Sequence, residues 1–168
     1  MALRQQIQSD LNESVMGREE LRSSVLRLLL AAINNKETEK RTKIWKEKPK
    51  SSVEYLEKES KLTDEEIIGV ISTEIKKRRE SIELFEKGGK REMADKEKKE
   101  AVILQKYLPE QMSEEELREL VKSAITRVGA KTQKDMGRVM AELMPKTKGK
   151  ADGSLLSRLV KELLTGQK

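Results

Sequence analysis

Apolar residues in this chain return every three or four positions, in blocks that end at glycine or proline. Nowhere do they alternate with period two. That spacing places them on one face of a helix and leaves no pattern from which strands could form. The fold class it predicts is all-α. The core must also be built almost without rings: aromatic residues are 2% of the chain and charged residues 39%. Leu, Ile, Val, Ala and Met therefore do the packing, which suits helices joined through narrow apolar stripes.

The blocks can be followed in order. A first helix is predicted from Ala2 to Met16, with Leu3, Ile7, Leu11 and Val15 as its stripe and Gly17 as its stop. A second runs from Glu19 to Lys40 on Leu21, Val25, Leu28, Leu29, Ala32 and Ile33. Residues 42–62 are Lys-rich, hold Pro49 and read as an exposed connector with a short helix from Ser52 to Glu59. The connector carries the single Trp, Trp45, which docks either on the core or on a partner; a lone Trp is expected on its own core. Thr63-Asp64-Glu65-Glu66 is a capping box opening a helix that lasts to Gly88-Gly89. A fourth long helix runs from Arg91 to Tyr107, closed by Leu108-Pro109. Ser113-Glu114-Glu115-Glu116 is a second capping box, for a helix ending at Val128. A short helix follows from Gln133, stopping at Pro145, and the last spans Asp152 to Leu164. The predicted architecture is an N-terminal helical hairpin domain, residues 1–108, followed by a small three-helix C-terminal bundle, residues 109–168. Pro109 to Ser113 would be the hinge.

There is no Cys and no His. Disulfides, thiolate nucleophiles, imidazole proton shuttles and His-based zinc sites are thereby excluded. The longest apolar run, Val25 to Ile33, is broken by Arg27 and is far short of the roughly 20 residues of a membrane span. The N-terminus lacks the apolar stretch of a secretory signal. The expectation is a cytoplasmic monomer with no cofactor, no metal and no membrane partner.

Polar residues on apolar stripes mark two places. Glu97 shares a face with Met93, Ala101, Leu104 and Leu108, and Glu100 lies nearly one turn on. A carboxylate metal helix would need a Glu-x-x-His partner, and with no His the pair instead calls for arginine. Arg78 or Arg79, on the preceding helix, is expected to meet Glu97 or Glu100 and to set the register of the hairpin. Arg27 interrupts the second helix; it either reaches this structural polar cluster or lays its stem on the core with its head in solvent. An enzyme in its own right would require a deep pocket around Arg78, Ser81, Glu97 and Glu100.

Charge marks the third place. Formal net charge is +6, and residues 127–150 carry seven basic and two acidic side chains, a net of +5. Concentrated positive charge suits a polyanion. Gly137 inside a helix suggests close approach to a neighbouring helix or to phosphate. Lys146 to Gly153 reads as a mobile basic turn before a helix N-terminus, whose free amides suit phosphate. Met136, Met140 and Met144 either form the core stripe of their helix or offer an adaptable docking surface.

Several strings together carry a family resemblance. Leu26-Arg27-Leu28-Leu29-Leu30-Ala31-Ala32-Ile33, Lys77-Arg78-Arg79-Glu80-Ser81-Ile82, Arg91 followed by Glu97-x-x-Glu100, and Tyr107-Leu108-Pro109 resemble the YqeY family. Asp135-Met136-Gly137-Arg138-Val139-Met140 and Gly149-Lys150-Ala151-Asp152-Gly153 resemble the tail that YqeY proteins share with the GatB subunit of glutamine-dependent tRNA amidotransferase. The match runs in order along nearly the whole chain, except that 42–62 is longer than the family pattern. The resemblance implies an N-terminal helical domain and a small three-helix domain. It also implies a tail of the kind that engages tRNA in the amidotransferase, whose carbon–nitrogen ligase chemistry resides in parts absent here. The expected function is thus a non-catalytic accessory module binding tRNA or structured RNA, with Lys131, Lys134, Arg138, Lys146, Lys148 and Lys150 on backbone phosphates. The alternative is a protein–protein adaptor for an amidotransferase, a synthetase or a ribosome-associated, translation-related partner.

Overall fold

In the computed structural model, which describes residues 2–166, the chain is all-helical. Its helices are α1 (Ala2–Met16), α2 (Glu20–Glu47), α3 (Val53–Ser60), α4 (Asp64–Lys87), α5 (Arg91–Gln105), α6 (Glu114–Val128), α7 (Met136–Thr147) and α8 (Gly153–Thr165), with a 3-10 turn at Gln133–Asp135 before α7. No strand occurs among the described residues. No described helix is long and apolar enough to cross a membrane. The chain divides into two compact units, Met1–Tyr107 and Leu108–Lys168.

In the first unit α4 and α5 form a hairpin, and α2 packs on α1, α3, α4 and α5. The core is aliphatic: Ile7, Leu26, Leu29, Ile33, Ile67, Ile71 and Leu104 are all essentially inaccessible. The predicted stripes shift slightly. A strict four-residue step drifts about 40° around a helix at every repeat, so Val15 is exposed and Ser14 takes the buried place, its hydroxyl donating to the Leu11 carbonyl at 2.8 Å. For the same reason Ala94, not Met93, faces the core of α5.

The connector is the main correction. Residues 42–47 complete α2, which runs seven residues beyond its predicted end, and α3 occupies most of the remainder. The helix continues its inward face past Ile33 through Glu37, a carboxylate only 9% exposed. Arg4 lies 2.8 Å from it, Lys61 3.5 Å, and the Leu62 amide donates to it at 3.3 Å. An apolar pattern could not announce a core position filled by a paired charge. Trp45 does not dock on the core: it is 53% exposed.

In the second unit α6, α7 and α8 close around Leu117, Val121, Ile125, Val139, Leu143, Leu156, Leu159 and Leu164. Both predicted capping boxes form, Thr63 with Glu66 and Ser113 with Glu116. Gly129 ends α6 in the left-handed region, φ +64, where its missing Cβ removes the steric cost. Pro145 does not stop α7, which continues to Thr147. Proline in a last turn forfeits one backbone hydrogen bond, and the buried Thr147 hydroxyl ties that turn back to the Leu143 carbonyl at 3.0 Å.

Candidate nucleic-acid interface

The six predicted RNA-contacting side chains all belong to the second unit, and all are exposed. Lys131 and Lys134 precede α7, Arg138 lies in its first turn, Lys146 in its last, and Lys148 and Lys150 on the turn into α8. At about 1.5 Å rise per residue, Arg138 and Lys146 stand about 12 Å apart along the helix. The cations therefore form two groups, one at each end of α7. A single small anion could not meet both.

Carboxylates divide the cations further. Glu142, between the two groups, holds Lys146 at 2.7 Å and Arg127 at 2.6 Å. The Lys146 ammonium and then the Arg127 guanidinium keep its carboxyl below the usual carboxylate range. Asp135 accepts the amides of Lys131 and Thr132, each at 3.1 Å, and these bonds hold its carboxyl low. Arg138 is 3.5 Å from Asp135 and donates to the Val128 carbonyl at 2.8 Å, so its guanidinium is turned back on its own unit. Lys131, Lys134, Lys148 and Lys150 have no carboxylate partner among the described residues.

Four expectations about this surface change. The basic turn is anchored rather than mobile. Gly149 sits at φ +74, a conformation L side chains rarely adopt, and its carbonyl accepts from the Gln111 side chain at 2.6 Å. The Lys150 carbonyl accepts the Met112 amide at 2.8 Å. Two first-turn amides of α8 are already taken, because Asp152 caps Ser154 at 2.7 Å and Leu155 at 3.3 Å. Gly137 is not required by a neighbouring helix: a Cβ there would meet nothing within 4 Å. The methionines do not form one stripe either. Val139 and Leu143 are the buried pair of α7, Met136 and Met140 pack beside them, and Met144 is 53% exposed.

The polar cluster of the first unit is centred on Arg78, which is 7% exposed. It lies 3.1 Å from Glu100 across the hairpin and 3.2 Å from Glu74 on its own helix. Glu97 is half-buried, whereas Arg79 and Arg27 are exposed. Arg27 sits outside the cluster because Leu26, Leu29, Leu30 and Ile33 define the buried face of α2, and position 27 lies about a third of a turn away from it. Among the described residues no group of His, Cys, Asp or Glu is placed to hold a metal ion.

Two further polar sites had no signal in the sequence beyond an isolated polar residue on a stripe. One is the Glu37 cluster. The other is Tyr107, whose hydroxyl donates to Asp10 at 2.6 Å, with Arg22 3.7 Å from the same carboxylate. Burial, and then the Asp10 carboxylate, push the phenol well above its ordinary range. Both sites tie distant helices together.

Set beside known proteins, residues 4–164 match a family model described as Yqey-like protein. An uncharacterized protein of Schizosaccharomyces pombe (strain 972) is 38% identical over 65 residues. That alignment takes in 38% of this chain and 53% of the other, so the chain spans about half the length of the curated relative it matches.

Proposed function

The chain belongs to the Yqey-like protein family, and from that premise we propose that it is a non-catalytic accessory protein that binds tRNA or another structured RNA through its C-terminal unit. The observation that carries this reading is the set of four lysines, Lys131, Lys134, Lys148 and Lys150, exposed and without carboxylate partners among the described residues. Uncompensated cations at both ends of a 12-residue helix suit a chain of phosphates better than one phosphate. Such contacts release condensed counterions and follow the shape of the backbone rather than its sequence. Lys146 and Arg138 add to them when RNA competes with Glu142 and Asp135. Carbon–nitrogen ligase chemistry, where this family takes part in it, is assigned by this reading to a partner enzyme.

Filter binding to total tRNA at a series of salt concentrations tests the proposal. The slope of log affinity against log salt should be steep, and Lys146/Lys148/Lys150→Glu should flatten it by roughly 2–3 units, nearly one per lost phosphate contact. Glu142→Gln should act in the opposite direction and tighten binding severalfold, by releasing Lys146 and Arg127. No affinity at low salt, or no response to either variant, would sink the reading.

The adaptor reading has one observation in its favour, the exposed Met144, since methionine surfaces adapt to partners. Recovery of a translation-related protein from lysate that persists after ribonuclease treatment, and is lost in Met144→Asp, would favour it.

A further inference from the structure

The second concentration of charge lies in the other unit. Residues 40–50 carry six basic side chains and one acidic, again a net of +5, so the rest of the chain outside these two segments is net −4. The excess positive charge is therefore shared between two places. This segment also carries an aromatic ring. Trp45, near the C-terminal end of α2, is the single Trp of the chain and is half exposed. Arg41 and Lys48, four residues before it and three after, share its side of the helix. Lys40 is occupied by Glu66 at 2.9 Å and Arg41 approaches Glu57 at 3.9 Å. Lys43, Lys46, Lys48 and Lys50 form no salt bridge among the described residues, although Glu59 and Glu47 act on Lys48 at longer range.

A second ring is carried by the following helix. Tyr55, on α3, is 37% exposed; the Lys48 ammonium donates to its hydroxyl at 2.9 Å and lies 5.2 Å from its ring centre. A recess lined by Lys48, Pro49, Lys50 and Ser51 opens at the same tip. Backbone order here is set from within: Ser52 caps α3 through the Tyr55 amide, and Leu56 is buried.

We propose that this tip is a second nucleic-acid site, in which Trp45 stacks on an unpaired base while Lys46, Lys48 and Lys50 hold the flanking phosphates of a single-stranded RNA segment. Burying a half-exposed indole against a base is favourable for any base, because every base has a π-face, and lysines beside the ring supply the backbone contacts. A lipid surface of anionic headgroups would share the charge complementarity. It would need a broad apolar face to insert, and the exposed large apolar side chains described in residues 40–62 are Trp45, Val53 and Tyr55. One or two rings suit one or two bases. This inference deepens the RNA reading but does not depend on the C-terminal lysines.

The single Trp makes the test direct. The full chain is titrated with a single-stranded oligouridylate of about a dozen nucleotides, a length typical of such sites, and with a duplex of equal length. Tryptophan emission is followed together with the anisotropy of labelled oligonucleotide. The single strand should quench emission saturably and salt-dependently, and the duplex should quench far less. Trp45→Ala should weaken single-strand binding by roughly 5- to 150-fold, the loss expected for one stacked base, and Trp45→Phe should restore most of it. Circular dichroism should be unchanged, since the ring is exposed. Single-strand binding by anisotropy without quenching overturns this site and leaves the C-terminal reading standing. Quenching that survives Lys146/Lys148/Lys150→Glu, while tRNA binding is lost from neither protein, keeps this site and overturns the other. Equal quenching by duplex, equal loss in the Phe and Ala variants, or a blue shift on phosphatidylserine vesicles with no response to RNA, each overturns it.

Discussion

A single buried arginine fixes how α4 lies on α5. Arg78 is nearly inaccessible, and the two carboxylates it meets, Glu74 and Glu100, are also largely shielded. Removing the guanidinium leaves both carboxylates short of a counter-charge in a poorly solvated place, which typically costs about 3–5 kcal/mol. Arg78→Met should therefore lower the stability of the first unit by that amount in urea unfolding. Adding Glu100→Leu should recover much of the loss, because Glu74 keeps Lys77 at 2.7 Å. A single variant as stable as the parent would show that the pair contributes nothing. That an arginine on α4 should answer a carboxylate on α5 was legible from charge placed on an apolar stripe. That it was Arg78 and Glu100, with Arg27 excluded, was not. Which member of a run such as Lys77-Arg78-Arg79 turns inward depends on rotation angles finer than a count of spacings can supply.

Helix starts are the elements best specified locally. Thr63 with Glu66 and Ser113 with Glu116 exchange hydrogen bonds that need only four consecutive residues, and both were readable as strings. The same bonds make these starts sensitive to acid. The Ser113 amide and hydroxyl hold Glu116 below the ordinary carboxylate range, as Lys146 and Arg127 hold Glu142. A carboxyl depressed in the folded state stabilises it above the unfolded value, about 4.3 for Glu, and loses that contribution as pH falls through the folded value. The melting midpoint followed by circular dichroism should thus be flat from neutrality to about pH 5 and decline below about pH 4. Ser113→Ala should shallow that decline, and a midpoint that rises on acidification would contradict the assignment. Helix ends were less legible. α2 outruns its apolar stripe because a paired carboxylate, Glu37, continues its buried face, and α7 passes Pro145 because one missing amide in a last turn is tolerable.

At the scale of the whole chain, two cores exist, and the second needs no residue before Leu108. Leu108-Pro109 lies where the second unit begins, and proline disfavours helix at the residue before it. A fragment of residues 108–168 should accordingly fold alone with a cooperative thermal transition, and Leu143→Ala within it should cost about 2–5 kcal/mol; a fragment without a transition would mean that its core is too small to stand unaided. The basic surface of this unit was legible as charge, but its division by Glu142 and Asp135 was not, because ion pairing is a matter of rotamers. The turn that carries Lys148 and Lys150 is pinned by its main chain, through the carbonyls of Gly149 and Lys150 to Gln111 and Met112. Its shape therefore owes nothing to the lysine side chains. The charge of this surface can drift, reverse or be redesigned at those positions while the scaffold beneath stays the same, so surface charge and foldability are free to evolve separately.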